Sequence, residues 1–98
     1  MNFILAPSAI ADLEDISNYF LERNVEAGER LFQKFNKRFQ SLTQFPNLGK
    51  PYPSLHPNIR GLLEQNYIVF YQVSPEAVEI VRIIDARRNI LELFKQGR

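Results

Sequence analysis

The 98-residue sequence contains no cysteine and only one histidine, His56. Without cysteine the chain cannot form disulfides, and with a single histidine a zinc site is not expected. No apolar run approaches the roughly 20 residues that a membrane-spanning helix needs. The N-terminal segment also lacks the basic start and long apolar stretch of a signal peptide. We therefore expect a cytoplasmic protein that holds no metal and no cofactor and does not enter a membrane.

The length of the chain leaves room for one hydrophobic core, so we expect residues 1–98 to form a single domain. Charge is unevenly distributed along it. Residues 1–29 carry six acids and one base, whereas residues 30–98 carry eleven bases and five acids. This asymmetry indicates either that the later part faces an anionic partner, or that two helices have oppositely charged solvent faces.

The first half of the sequence has the pattern of a strand followed by two amphipathic helices. Residues 2–6 are apolar and end at Pro7, which suits a strand. Apolar residues then recur at helical spacing over residues 8–23, with Ser8 in a position to cap the helix. The same spacing resumes over residues 26–45 and ends at Pro46, because proline cannot continue the backbone hydrogen bonds of a helix.

The second half has the pattern of a small antiparallel sheet. Residues 46–57 contain four prolines and Gly49, so we expect an irregular connection. Residues 59–64, 67–73 and 78–85 are rich in β-branched and aromatic side chains and are separated by short turns, which makes consecutive antiparallel strands. Residues 87–94 suit a short closing helix. The predicted fold is α+β in the order β-α-α-β-β-β, with a helical hairpin packed on a mainly antiparallel sheet.

Several short phrases of the sequence, in this order and at this spacing, resemble the RelE/ParE toxin superfamily of type II toxin–antitoxin systems over essentially the whole chain. The phrases are Leu5-Ala6-Pro7-Ser8-Ala9, Asp12-Leu13-Glu14-Asp15-Ile16, Ala27, Leu42, Phe45-Pro46, Leu48-Gly49-Lys50-Pro51, Ile59-Arg60-Gly61-Leu62, Tyr67-Ile68-Val69-Phe70-Tyr71, Val81-Arg82-Ile83-Ile84 and Arg87-Arg88. The resemblance implies a small cytoplasmic toxin that is held inactive by an antitoxin encoded beside it. RelE-like members resemble ribosome-dependent mRNA endonucleases, whereas ParE-like members bind and poison DNA gyrase.

The residues favour the ParE-like alternative. RNA cleavage needs a general base, a general acid and cations for the extra phosphate charge. The second predicted strand offers only Arg60, and Ile68 stands where RelE-like members often have arginine. Asp85 occupies a position where ribonuclease members present histidine, and its carboxylate would repel a scissile phosphate. An endonuclease would have to rely on Arg60, Arg82 and Arg88, which make a poor acid–base set, so we expect a protein that is not an enzyme.

Four arginines are candidates for binding the target: Arg60, Arg82, Arg87 and Arg88. Guanidinium groups suit anionic or carboxylate partners. The alternative for Arg60 is an internal salt bridge with Glu64, Glu79 or Asp85. For Arg82, which lies within an apolar strand, the alternative is an internal salt bridge with Glu79 or Asp85. Arg87 and Arg88 could equally belong to a solvated basic end of the chain.

The helical hairpin is unusually aromatic, and four of its side chains are candidates for antitoxin binding: Phe20, Phe32, Phe35 and Phe39. We expect part of this surface, together with a sheet edge, to receive the antitoxin as an amphipathic helix or an added strand. The alternative is that these four phenylalanines and Phe45, which also comes from the hairpin, are all interior.

These observations lead to one preferred function and two alternatives. The preferred function is a toxin that inhibits DNA gyrase, is neutralised by a ParD-like antitoxin in a hetero-oligomer and serves in plasmid stabilisation. The second is a ribosome-dependent mRNA endonuclease. The third is a degenerate toxin that only binds its antitoxin.

Overall fold

The computed structural model describes residues 1–96, apart from the side chain of Gln96. The elements follow the chain as β1 (Asn2–Leu5), α1 (Pro7–Arg23), α2 (Val25–Gln44), β2 (Lys50–Pro51), β3 (Arg60–Glu64), β4 (Tyr67–Val73), β5 (Ala77–Asp85) and α3 (Ile90–Gln96). The predicted α+β fold and its element order are confirmed. The difference is β2, a two-residue strand within the proline-rich connection. The prediction of one domain covers residues 97–98 as well, which lie outside the described residues.

The two long helices form a hairpin joined by one residue, Asn24, whose side-chain oxygen accepts a hydrogen bond from the Ala27 amide at 3.1 Å. This bond satisfies one of the free amides at the start of α2. The expected cap of α1 is wrong. Pro7 occupies the first turn, where its missing N–H costs nothing. Ser8 instead donates its hydroxyl to the carbonyl oxygen of Val81 at 2.6 Å, and so fastens α1 to the sheet.

The five strands form one sheet in the order β1-β5-β4-β3-β2. Strand β1 runs parallel to β5, and all other neighbours are antiparallel. Pairing with β1 covers only the first part of β5, from Ala77 to Ile80. Beyond Ile80 this edge of β5 has no strand partner among residues 1–96, and α1 lies along it instead. The edge of the sheet is therefore completed by a helix.

Both faces of the sheet are covered, which explains why four consecutive residues of β4, from Ile68 to Tyr71, are all buried. The helical hairpin covers one face, where the core includes Leu31, Phe35, Phe39, Leu42, Val69, Tyr71, Ile80 and Ile83. Helix α3 and the connection before β3 cover the other face, where the core includes Ile59, Ile68, Phe70, Val81, Ile84 and Phe94.

One ion pair joins the two layers. The Asp12 carboxylate of α1 accepts hydrogen bonds from Nε and Nη2 of Arg82 at 2.7 and 2.9 Å, and from the Ile83 amide at 2.8 Å. Nη1 of Arg82 donates to the carbonyl oxygen of Leu93 in α3. The expectation that Arg82 pairs with an acid of its own strand is therefore wrong. Glu79 and Asp85, each three positions away on β5, are bound to Gln72 and Arg87, whereas Asp12 comes from the helix that lies beside the open edge.

Among residues 1–96, no helix combines the length and the apolar character that crossing a membrane requires.

Replacing Asp12 with alanine should lower the free energy of unfolding by about 3–5 kcal/mol, because it leaves a nearly buried guanidinium without its partner and frees an edge amide. The side chains of Arg82 and Asp12 are 11% and 13% exposed, so solvent screens the pair little. Urea denaturation followed by circular dichroism measures the change. Asp15→Ala, at an exposed position one turn later, is the matched control and should stay within about 0.5 kcal/mol of the parent protein. Equal effects of the two substitutions would contradict the proposed role of Asp12.

Candidate functional site

Three of the four candidate arginines meet at one cleft. Arg82, Arg87 and Arg88 line a cavity of about 700 Å³ between α1, the turn at Gln65–Asn66 and the end of β5. Arg60 does not join them. It begins β3, two strands away from β5, and is paired in register with Tyr71, whereas the rim of the cleft lies where Tyr67 is paired with Asp85. Position in the sheet thus separates one candidate from the other three.

Arg60 has a structural role at the start of β3. Its Nη1 donates to the carbonyl oxygen of Gly49 at 2.6 Å. Beside it the Tyr71 hydroxyl donates to the carbonyl of Pro46 at 2.7 Å and accepts from the Gly49 amide at 2.8 Å. Burial raises the pKa of the Tyr71 phenol, although the bond from Gly49 and the charge of Arg60 oppose the shift. Together these hydrogen bonds fix the backbone of the segment that follows α2, at Pro46 and Gly49.

The salt bridges expected for Arg60 are also wrong, because each suspected acid has another partner. The Glu64 carboxylate binds Nε of Arg38 at 3.1 Å, the Glu79 carboxylate accepts from Gln72 at 2.6 Å, and Asp85 binds Arg87. Arg60 is left with a carbonyl oxygen as its hydrogen-bond partner.

At the rim of the cleft, Asp85 and Arg87 form a two-pronged pair. Nε and Nη2 of Arg87 donate to the two carboxylate oxygens at 3.0 and 2.7 Å, and the Arg87 amide donates to the first of them at 2.9 Å. The guanidinium holds the pKa of Asp85 at about 2, although some desolvation opposes it. Asp85 is therefore ionised near neutral pH and cannot serve there as a proton donor.

Arg88 is the available cation of the cleft. Its amide donates to the Asp85 carbonyl at 3.1 Å, which fixes the backbone, but its guanidinium makes no hydrogen bond or ion pair with the described residues. Arg82, by contrast, is bound to Asp12. Of the three arginines in the cleft, Arg88 is thus the one whose charge is open to a partner.

The cleft contains few groups suited to proton transfer. Tyr67 lines the cleft. Burial, and to a smaller extent the negative charge of Asp85, raise the pKa of its phenol, so the phenol stays protonated near neutral pH. His56 lies away from the cleft, in the connection before β3, where its Nδ1 accepts from the Asn58 amide at 3.2 Å. In the described part of the chain, no group of three or more His, Cys, Asp or Glu side chains could hold a metal ion. Of the charged side chains that line the cleft, Arg88 and Asp15 are the two without a hydrogen bond or ion pair among the described residues.

A second, apolar surface lies on the helical hairpin. Phe20, Leu21, Val25 and Phe32 line a groove of about 260 Å³, with Gly28 at its base. A Cβ on Gly28 would lie 2.7 Å from Cβ of Phe20, so glycine lets the two helices approach here. Leu21 and Val25 are 62% and 48% exposed. Neither residue was predicted to belong to a site, although both are apolar residues outside the helical stripes, which is the signal that could have identified them.

The structure divides the four candidate phenylalanines. Phe20 and Phe32 are partly buried and line the groove, whereas Phe35 and Phe39 are 1% and 4% exposed. Phe35 packs edge-on against Tyr67, so its ring is part of the core. In this conformation Phe35 and Phe39 offer no surface to an antitoxin, and antitoxin binding by Phe20 and Phe32 stays a prediction.

Comparisons with known proteins identify the family. Residues 3–90 match the family model described as the ParE toxin of the type II toxin–antitoxin system parDE. The chain is 30% identical over 80 residues to Toxin ParE3 of Caulobacter vibrioides (strain ATCC 19089 / CIP 103742 / CB 15), which covers 81% of this chain and 80% of that protein. It is also similar to a solved structure of the chromosomal ParDE TA system from P. aeruginosa, with a TM-score of 0.73 and 26% identity over 87% of this chain and 95% of that one. The predicted resemblance is confirmed, and the chain belongs to the ParE toxin family of type II toxin–antitoxin systems.

Proposed function

We propose that this toxin inhibits DNA gyrase and is neutralised by a cognate ParD-like antitoxin, with which it forms a hetero-oligomer in the cytoplasm. Membership of the ParE family supports the proposal, as does the likeness to a ParDE system. The observation that carries it is the cleft at the end of β5. There the Arg88 guanidinium has no ion-pair partner among the described residues, whereas Arg82 and Arg87 are bound to Asp12 and Asp85.

Binding fits this cleft better than RNA cleavage does. An endonuclease needs cations that are positioned to stabilise the negative charge that develops on the phosphate in the transition state. Arg82 is bound by Asp12 and Leu93, and Arg60 lies outside the cleft on β3, where it is bound to the Gly49 carbonyl. The ionised Asp85 would repel the scissile phosphate, and the protonated Tyr67 phenol is a poor general base. Arg88 alone cannot supply the acid, the base and the cations.

A supercoiling assay with purified gyrase tests the proposed target. The parent protein should block supercoiling or accumulate linear DNA. Arg88→Gln should weaken this inhibition by at least about tenfold, because a charge-assisted hydrogen bond contributes roughly 1.5–3 kcal/mol. Lys50→Gln is the matched control. It removes one exposed positive charge from β2, which is the edge strand on the far side of the sheet from β5, and should leave inhibition unchanged.

Two results would contradict the gyrase proposal. One is unaffected gyrase together with mRNA cleaved in a codon-linked pattern on ribosomes, which would favour the endonuclease. The other is the absence of both activities and of any effect on growth, which would favour a toxin that only binds its antitoxin.

The hairpin groove is the proposed antitoxin site. Its volume of about 260 Å³ lies below the ~300–1,000 Å³ typical of small-molecule pockets, which suits inserted side chains better than a cofactor. Its walls come from two helices, the arrangement in which an amphipathic helix places its apolar residues. Exposed Leu21 and Val25 would be covered by such a helix, and removing their apolar surface from water would stabilise the complex.

Leu21→Glu should reduce affinity for the antitoxin by at least about tenfold, because binding would then bury an unpaired carboxylate. Isothermal titration calorimetry with the antitoxin encoded beside the toxin gene measures the change. Leu63→Glu is the control: Leu63 is also exposed, at 58%, but lies on β3. Unchanged affinity of the Leu21 variant, or equal loss in both variants, would exclude the groove as the antitoxin site.

A further inference from the structure

Between Glu29 and Glu64 the sequence contains six lysines and arginines and no acid. Three of these cations have structural partners. Arg38 binds Glu64, Arg60 donates to Gly49, and Nζ of Lys50 lies 5.3 Å from the centre of the Tyr52 ring. The other three are exposed and make no hydrogen bond or ion pair within residues 1–96. They are Arg30, Lys34 and Lys37, which we call the basic stripe.

The basic stripe is a rigid array. Its members stand at positions i, i+4 and i+7 of α2 and so share one side of the helix. The opposite side is anchored in the core by Leu31, Phe35, Phe39 and Leu42. At a rise of about 1.5 Å per residue, the three α-carbons span about 10 Å along the helix. The backbone under the charges is therefore fixed before any partner arrives.

The surroundings of the stripe restrict the partner. No large apolar side chain is exposed on α2 from residue 26 to residue 44, and the neighbours are polar, such as Gln33, Gln40 and Gln44. A protein interface centres on apolar or aromatic anchors, and a helix that binds membranes needs a free apolar face. Single-stranded nucleic acid is held by exposed aromatic rings. The phosphates of a duplex require only cations and polar groups.

We propose that the basic stripe binds the phosphate backbone of duplex DNA without sequence preference. On one strand of a duplex, a phosphate recurs about every 3.4 Å of axis, so about 10 Å of helix can lie beside three of them. The exposed acids Glu22, Glu26 and Glu29 repel DNA from the hairpin tip and so direct the duplex towards residues 30–37 in the middle of α2. This inference does not depend on gyrase being the target, because DNA binding is measured without gyrase.

Fluorescence anisotropy with a labelled 20-base-pair duplex of arbitrary sequence tests the proposal. Three phosphate contacts should give a slope of about −2.7 in a plot of log affinity against log salt concentration. Raising the salt from about 50 to about 200 mM should then weaken binding by about fortyfold. A flat salt dependence would overturn the proposal.

Variants locate the binding surface. The triple substitution R30Q/K34Q/K37Q should abolish detectable binding, and Lys34→Gln alone should reduce the slope by about one. The control R23Q/K50Q/K95Q removes the same net charge from exposed positions elsewhere and should bind like the parent protein. Circular dichroism checks that all variants are folded. Equal loss in both triple variants would show that net charge, and not the stripe, attracts DNA, and would overturn the proposal.

Competitors test the class of partner. Single-stranded DNA of equal length and a polyglutamate peptide of equal charge should compete more weakly than unlabelled duplex. Stronger competition by the single strand would assign the stripe to single-stranded nucleic acid, and stronger competition by polyglutamate would assign it to an acidic protein segment. Either result would overturn the proposal for duplex DNA.

Discussion

The pairing of Asp12 with Arg82 links elements that are 70 residues apart in the sequence. Strand β1 leaves the edge of β5 after Ile80, so the Ile83 amide needs a partner that no strand supplies. The carboxylate provides it and at the same time neutralises a guanidinium that is almost entirely buried. Because Arg82 also holds the Leu93 carbonyl, the same pair connects α1, the sheet and α3. This one ion pair therefore helps to position the elements that cover both faces of the sheet.

This pairing shows where prediction from the sequence succeeds and where it ends. Periodicity identified the two long helices and the three consecutive strands, and gave the bounds of β4 correctly at Tyr67–Val73, because apolar spacing is a local property. The partner of Arg82 depends on which helix lies beside the open edge of β5, and that is settled only in the folded chain. For the same reason Ser8 was expected to cap its own helix, whereas its hydroxyl is bonded to Val81 of β5.

The residues of the candidate site, too, could be predicted from the sequence only in part. The sequence gives the number of lysines and arginines, but it does not indicate which of them are bound to other groups of the folded chain. Arg38, Arg60 and Arg82 resemble Arg88 in the sequence, yet each is held by a carboxylate or a carbonyl oxygen, whereas the Arg88 guanidinium is free among the described residues. Likewise Phe32 and Phe35 are close in the sequence, but only Phe32 lines the groove. Exposure and pairing, which follow from tertiary packing, decide which residues are available for binding.

The two proposed binding surfaces share a wall. Phe20 lines both the hairpin groove and the arginine cleft, and Tyr19 beside it lies within the cleft and is half exposed. A helix seated in the groove would therefore extend over the rim of the cleft. Under the proposed function, this adjacency gives neutralisation a simple physical basis. An antitoxin in the groove would lie next to the cleft that contains Arg88, so it would hinder a target there without having to distort the toxin. The basic stripe lies on the solvent side of α2, so an antitoxin bound in this way would leave it accessible.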